Sequence, residues 1–339
     1  MRITFLNHPT TQPPNYPTTQ LTGKNSNMKT GIIQKLICGI VVAWFAFGVQ
    51  ADPVPSAEPR EQPTSHSEST NKLADATSPN DVKHYGLWLF GKNMNDADLH
   101  ALGASGVTDV LLHDYAITCF GQPAVEAWIE KANALGIQVH IWVQAFYDGK
   151  WKSPAQRGNP KLALFGKILA HAKQCARIRG VAGIHFDYLR SGGMAYKIAG
   201  STAAITRFAK FAVQHLHQVN PKLIVSGAIM PETTETAYYY GQDYEELSRY
   251  LDVVIPMIYK GNFRQDSPWI EKTTKWYVKH SKGAEVWIGL QGFRGPKNAT
   301  KLPPSELAAD LELARKGSPD GILLFRWGAS HIVPLKPEK

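Results

Sequence analysis

From residue 84 to residue 327 one unit recurs eight times: a short apolar run, a loop, then an amphipathic helical stretch. The apolar runs are His84–Phe90, Val107–His113, Gln138–Phe146, Ala182–Leu189, Leu223–Met230, Asp252–Tyr259, Glu285–Gln291 and Gly321–Trp327. Helical patterns such as Gln122–Leu135, Pro160–Arg179, Ser201–Asn220 and Ser305–Lys316 lie between them. Runs this continuous in Val, Ile and Leu are buried on both faces, which requires a parallel sheet covered by helices. Several open just after a Gly that follows a helical stretch, as at Leu135-Gly136 and Arg179-Gly180, where glycine suits a helix C-cap. Eight such units in about 255 residues match the size of a (β/α)8 barrel. The expected fold is therefore α/β, a single TIM barrel over residues 81–332. A doubly wound sheet gives the same alternation, but no Gly-x-Gly-x-x-Gly turn follows any run, which weighs against a dinucleotide fold. Gly86–Lys92 matches most of a phosphate-binding loop, yet its intervening residues are bulky and strand-like and Asn93 replaces the Ser or Thr.

Composition narrows the function classes. At 43% hydrophobic and 10% aromatic residues, the chain can bury one large core. Three cysteines in 339 residues exclude a disulfide scaffold and a Cys-rich zinc module. The formal charge of +9 is uneven: residues 1–51 hold four bases and no acid, so 33 bases remain against 28 acids. An excess that modest suits an acidic glycan or anionic surface and gives no support to a nucleic-acid partner.

The N-terminal part reads as an export signal. Residues 1–27 are a polar leader or a misassigned start, and 28–51 a signal peptide. Lys29 and Lys35 precede the apolar run Leu36–Val49, and Val49-Gln50-Ala51 predicts cleavage before Asp52. Residues 52–80, rich in Pro, Ser, Glu and Thr, read as a disordered linker. The expected location is periplasmic or secreted, with membrane association only if the signal stays uncleaved. Cys119 and Cys175 would remain after cleavage as candidates for a disulfide.

In a (β/α)8 barrel the chemistry sits at the C-terminal ends of the strands. Polar and aromatic side chains accumulate at those ends: Trp88, then His113, Gln144, His185, Asp187 and Arg190, then Glu232, Tyr259, Gln291, Arg326 and Trp327. Asp187 and Glu232 follow adjacent strands and form the carboxyl pair that glycoside hydrolysis needs, with Glu235 as a rival acid. The bland alternative pairs Asp187 with Arg190 and uses Glu232 as a helix cap. His185 alternates in register with Asp187 and either hydrogen-bonds it or fills a core layer. Tyr259 suits the nucleophile or the sugar ring; Gln144, Gln291 and Arg326 suit hydroxyl or carboxylate recognition. Tyr147, Trp151, Tyr238, Tyr239, Tyr240, Trp269 and Trp327 supply flat rings for a glycan groove. His140, His185 and Asp187 can be drawn as a metal triad, but no spaced His motif supports it, so neither metal nor cofactor is expected.

The run Gly183-Ile184-His185-Phe186-Asp187-Tyr188-Leu189-Arg190 resembles the secreted glycoside hydrolases related to the α-amylase and glycosidase-like barrel superfamily. Val139-His140-Ile141-Trp142, Met230-Pro231-Glu232-Thr233-Thr234 and Val254–Lys260 extend the resemblance over residues 84–328. It implies a nucleophilic Asp on strand four and an acid/base Glu after strand five, here Asp187 and Glu232. Where such families often place Tyr or Phe and Pro after the Arg, this chain has Ser191-Gly192-Gly193, read as a shorter and more flexible loop that bears on substrate identity. The expected activity is a retaining glycosidase on a cell-surface or extracellular polysaccharide or oligosaccharide, with carboxyls roughly 5–5.5 Å apart. The alternatives are a non-catalytic glycan-binding barrel and a metal-dependent polysaccharide deacetylase or amidase.

Overall fold

The structure, a computed structural model, describes residues 82–335. The expected leader, signal peptide and linker lie outside the described residues.

Eight parallel strands close into a barrel in chain order: β1 (His84–Leu89), β2 (Asp109–His113), β3 (Gln138–Gln144), β4 (Gly183–Asp187), β5 (Ile224–Ile229), β6 (Val253–Ile258), β7 (Glu285–Gln291) and β8 (Gly321–Phe325). Closure is made by β1, which pairs with β2 through Leu87 and Val110 and with β8 through Tyr85 and Ile322. A doubly wound sheet would leave two open edges, so that alternative falls. Each strand lies within an expected run, most of them one to three residues shorter.

The main covering helices are α1 (Gln122–Ala134), α2 (Leu162–Ala176), α3 (Ser201–His217), α4 (Pro268–His280) and α5 (Pro304–Arg315). Their buried faces follow the 3.6-residue period, as with Phe165, Leu169, Ala172 and Ala176 on α2 or Ile205, Phe208, Ala212 and Leu216 on α3. Proline opens the first turn of α1, α4 and α5, where its missing N–H costs no helical hydrogen bond. The helix expected from Pro160 begins at Leu162 because Asn159–Pro160 instead pairs with Ala155–Gln156 in a small antiparallel ribbon.

One apolar layer lies between barrel and helices. A second fills the barrel interior, built on Trp88, Leu111, Trp142, Ile255, Trp287 and Leu323. At the N-terminal end of the barrel, fully buried Asp109 meets His140 at 3.0 Å and His84 at 2.9 Å and accepts from the Thr108 hydroxyl at 2.6 Å. Burial opposes its ionisation, but these bonds prevail and hold the carboxyl below its ordinary value. His140 is thereby committed at the opposite end of the barrel from Asp187 and Glu232. Among the described residues no three His, Cys, Asp or Glu side chains converge as a metal-ligand set. Cys119 and Cys175 do not pair: the first is exposed, the second buried on α2 with its sulfur 3.8 Å from His171.

Candidate active site

Asp187 is the last residue of β4, in register with Gln144 at the end of β3. Glu232 lies three residues beyond β5, at the entry to the 3-10 turn Thr233–Glu235. Each is followed by a non-glycine residue in the left-handed region, Tyr188 at φ 50° and Thr233 at φ 48°. That conformation costs on the order of 1–3 kcal/mol and persists only where the surroundings enforce it. Asp187 Oδ1 accepts the Tyr188 backbone N–H at 2.6 Å. Behind Glu232, the Tyr277 phenol of α4 accepts the Thr233 N–H at 3.1 Å and donates to the Met230 carbonyl at 2.6 Å. One buried hydroxyl thus clamps both sides of the turn that presents Glu232.

Burial pushes both carboxyls above their ordinary values. At Asp187 the Tyr188 N–H and the charge of Arg190 pull the other way. The Trp142 indole N–H, facing it outside strict hydrogen-bond geometry, acts in the same sense. A simple Asp187–Arg190 ion pair would have held Asp187 low; the desolvation of this site outweighs it. At Glu232 the Tyr240 hydroxyl, 2.6 Å from Oε1, favours the charged form, while the nearby Glu235 opposes it. Glu232 Oε2 is buried without a hydrogen-bond partner.

Arg190 lies between the two loops and is only 7% exposed. Its guanidinium is 4.6 Å from the centroid of Trp151, 5.3 Å from Tyr240 and 5.6 Å from Tyr188, and Nη1 donates to the Ser191 carbonyl at 3.2 Å. It makes no ion pair with either carboxyl, yet its charge favours the ionised form of both. The loop that follows is tightly held. A Cβ on Gly192 would come within 2.8 Å of the Trp151 ring, and Gly193 sits at φ 90°. The Ser191 N–H binds the Tyr240 carbonyl at 2.8 Å, joining the β4 and β5 loops. The two glycines permit close packing where a flexible loop was expected.

His113 and Gln144 are half-buried as the last residues of β2 and β3, and Arg326 and Trp327 are half-buried just beyond β8. The Arg326 guanidinium lies 4.4 Å from the Phe90 ring centroid, and the Phe325–Arg326 peptide is cis. Four other expected contact residues, Trp88, His185, Tyr259 and Gln291, are instead buried in the core. Trp88 is 1% exposed and directs its indole N–H at His185 Nε2, 3.4 Å away. His185 is fully buried, bonded through Nδ1 to the Ser226 hydroxyl at 2.9 Å, and burial lowers its pKa to about 3. It is a neutral core residue. Tyr259 is buried against Phe325, with ring centroids 5.2 Å apart. Buried Gln291 spends its amide on Asn262, accepting from the backbone N–H at 3.0 Å and donating to Oδ1 at 2.8 Å, and so fixes the β6 loop. Arg190 likewise acts from within its aromatic cage. Trp142 and Tyr277 were missed. Trp142 had a signal, since it is two residues before Gln144 on the same inward alternation; Tyr277 had none, being one aromatic on an amphipathic helix.

Residues 166–280, which include both carboxyls, match a family model described as "Putative glycosyl hydrolase domain". No curated protein matches the chain by sequence. Among solved structures, the glycoside hydrolase domain of PgaB (BpsB) from Bordetella bronchiseptica superposes with a TM-score of 0.53 at 9% identity, over 72% of this chain and 94% of that one. The spore cortex-lytic enzyme SleL of Bacillus cereus gives 0.55 at 12% identity, over 74% and 72%. A chitinase from Chromobacterium violaceum gives 0.53 at 13%, over 74% and 96%. Over residues 166–280 this chain is therefore similar to a family described as a "Putative glycosyl hydrolase domain", and its eight-stranded parallel barrel shares its fold with the glycoside hydrolase domain and the chitinase named above.

Proposed function

We propose that the barrel is an exported glycoside hydrolase that cleaves a cell-surface or extracellular polysaccharide by a retaining double displacement. The observation that carries this reading is the pair of half-buried, desolvated carboxyls at the ends of adjacent strands, each followed by a residue in the left-handed region. Perturbed carboxyls on over-determined backbone are costly to a fold and useful to acid–base chemistry.

The surroundings divide the roles. Asp187 has an N–H bonded to one oxygen and a second facing it, so its anion is the better supported and it attacks the anomeric carbon. Glu232 has one hydroxyl donor, a like charge nearby and an unpartnered buried oxygen, so it holds the proton that the leaving glycosidic oxygen takes. The glycosyl–Asp187 ester is then displaced by water, whose proton returns to Glu232.

Chitin and cell-wall glycan are the first substrates to test, because a chitinase and a spore cortex-lytic enzyme share the fold. The full chain should release reducing ends from glycol chitin or purified peptidoglycan. Asp187→Asn and Glu232→Gln should each lower turnover by on the order of 10²–10⁴ with an unchanged circular dichroism spectrum. Binding without release would favour the non-catalytic barrel. Proton NMR of the first product should show retained anomeric configuration; inversion would overturn the double displacement while leaving the hydrolase.

A further inference from the structure

Five large apolar side chains are exposed among the described residues, and three of them belong to the two loops that carry the carboxyls. Met194 (53% exposed) and Tyr196 (48%) come from the loop between β4 and α3, and Tyr238 (56%) from the short helix Thr236–Tyr240 after β5. The rings of Tyr196 and Tyr238 are stacked across the loop boundary, with centroids 4.7 Å apart and planes within 1°. Tyr239 meets Tyr238 edge-on at 5.0 Å, and its other neighbour in sequence is Tyr240, which holds Glu232. Neither the Tyr196 nor the Tyr238 hydroxyl has a hydrogen-bond partner among the described residues, and Lys197 Nζ lies 5.5 Å from the Tyr196 ring.

A contiguous exposed apolar patch signals a binding surface far better than scattered single residues do. This one is preorganised, because the loops beneath it are joined by the Ser191–Tyr240 backbone bond and the Thr202 hydroxyl donates to the Ala237 carbonyl at 3.5 Å. Rigid rings with free hydroxyls offer flat apolar area and polar rims at low entropic cost. The complementary ligand is a pyranose whose substituents are equatorial, since it presents a flat face of C–H groups ringed by hydroxyls. The tyrosine run ends on Glu232, so the platform is continuous with the proposed catalytic centre.

We propose that Tyr196 and Tyr238 form a sugar-stacking subsite, which holds a β-1,4-linked N-acetylglucosaminyl chain at a distance from the bond being cut. The choice of polymer rests on the hydrolase reading above; binding at the platform does not require turnover.

The test is native electrophoresis in gels containing glycol chitin, comparing the full chain with Tyr196→Ala/Tyr238→Ala, Asp187→Asn and Leu162→Ala. Leu162, 55% exposed at the start of α2, controls for generic apolar surface. Glycol chitin should retard the unmutated protein, Asp187→Asn and Leu162→Ala alike. The double tyrosine variant should show a dissociation constant raised about 5-fold, the effect of losing one or two stacking contacts. Its kcat/KM should also fall about 5-fold more on glycol chitin than on an aryl chitobioside. Retardation without any sugar release would keep the subsite and refute the hydrolase. Sugar release with equal retardation of the double variant would refute the subsite and keep the hydrolase. No retardation of the unmutated protein would overturn the subsite.

Discussion

The Tyr240 hydroxyl donates a 2.6 Å hydrogen bond to Glu232 Oε1, while Glu232 Oε2 is buried with no partner. The carboxyl is therefore supported as an anion on one oxygen and left bare on the other, the condition of a group that must both give and take a proton. Burial and the charge of Glu232 push the Tyr240 phenol up, so it stays protonated and remains a donor throughout the working range.

Replacing Tyr240 by Phe removes the side-chain donor that favours ionised Glu232. Its pKa should rise, and because Glu232 is proposed to work as a protonated acid, the alkaline limb of the kcat/KM profile should move to higher pH. Turnover at neutral pH should fall about tenfold or more, since a hydrogen bond to a charged group contributes roughly 1.5–3 kcal/mol. A pH profile identical to that of the unmutated protein would disconnect Tyr240 from the acid.

Tyr277→Phe tests the clamp behind the same residue. Two hydrogen bonds to the Thr233–Met230 turn disappear from a fully buried site. Thermal denaturation should register a loss of about 1–3 kcal/mol. With Thr233 free to leave the left-handed region, kcat should drop more than KM rises. Lost stability with untouched kcat would mean that the turn does not position Glu232.

Gly192→Ala places a methyl group 2.8 Å from the Trp151 ring. Overpacking of this kind costs about 1–3 kcal/mol. Trp151 also covers Arg190, so the variant should lose activity as well as stability, and tryptophan fluorescence should shift. Unchanged fluorescence and melting temperature would show that the loop has room.

His171 on α2 and Asp114 beyond β2 meet at 2.6 Å, and the His pKa is raised to about 10, chiefly by that hydrogen bond. A raised folded-state value stabilises fully below the unfolded value of about 6.5 and is lost as pH climbs through the folded value. The melting-temperature advantage of the unmutated protein over His171→Gln should therefore shrink between pH 6.5 and 10. The pair is partly exposed, so salt should weaken the effect. An advantage that grew over that interval would reverse the assignment.

The barrel was legible in the sequence because its signal is local and repeated. Strands buried on both faces must be apolar along their length, and the helices over them must show one apolar stripe, so eight alternations located all eight strands. The same rule placed Asp187 and Glu232 after adjacent strands, since the end of a strand is a position in the sequence as well as in space. Alternation also reported that His185 points inward, but inward alone does not separate a pocket wall from a core layer. Trp88, His185, Tyr259 and Gln291 lie on the core side of that division because Ser226, Phe325 and Asn262 meet them there.

What only the tertiary structure decided are the contacts between residues distant along the chain. Arg190 is one residue from Ser191 but owes its cage to Trp151 and Tyr240, and its neighbourhood to two carboxyls 45 residues apart in sequence. Tyr277 reaches Thr233 from a different helix, and Tyr196 stacks on Tyr238 from a different loop. Periodicity reports which way a side chain faces, which is a property of its own backbone. Its charge state and its partners depend on what the rest of the fold brings within a few ångströms, and the desolvation that raises Asp187 exists only once the barrel has closed around it.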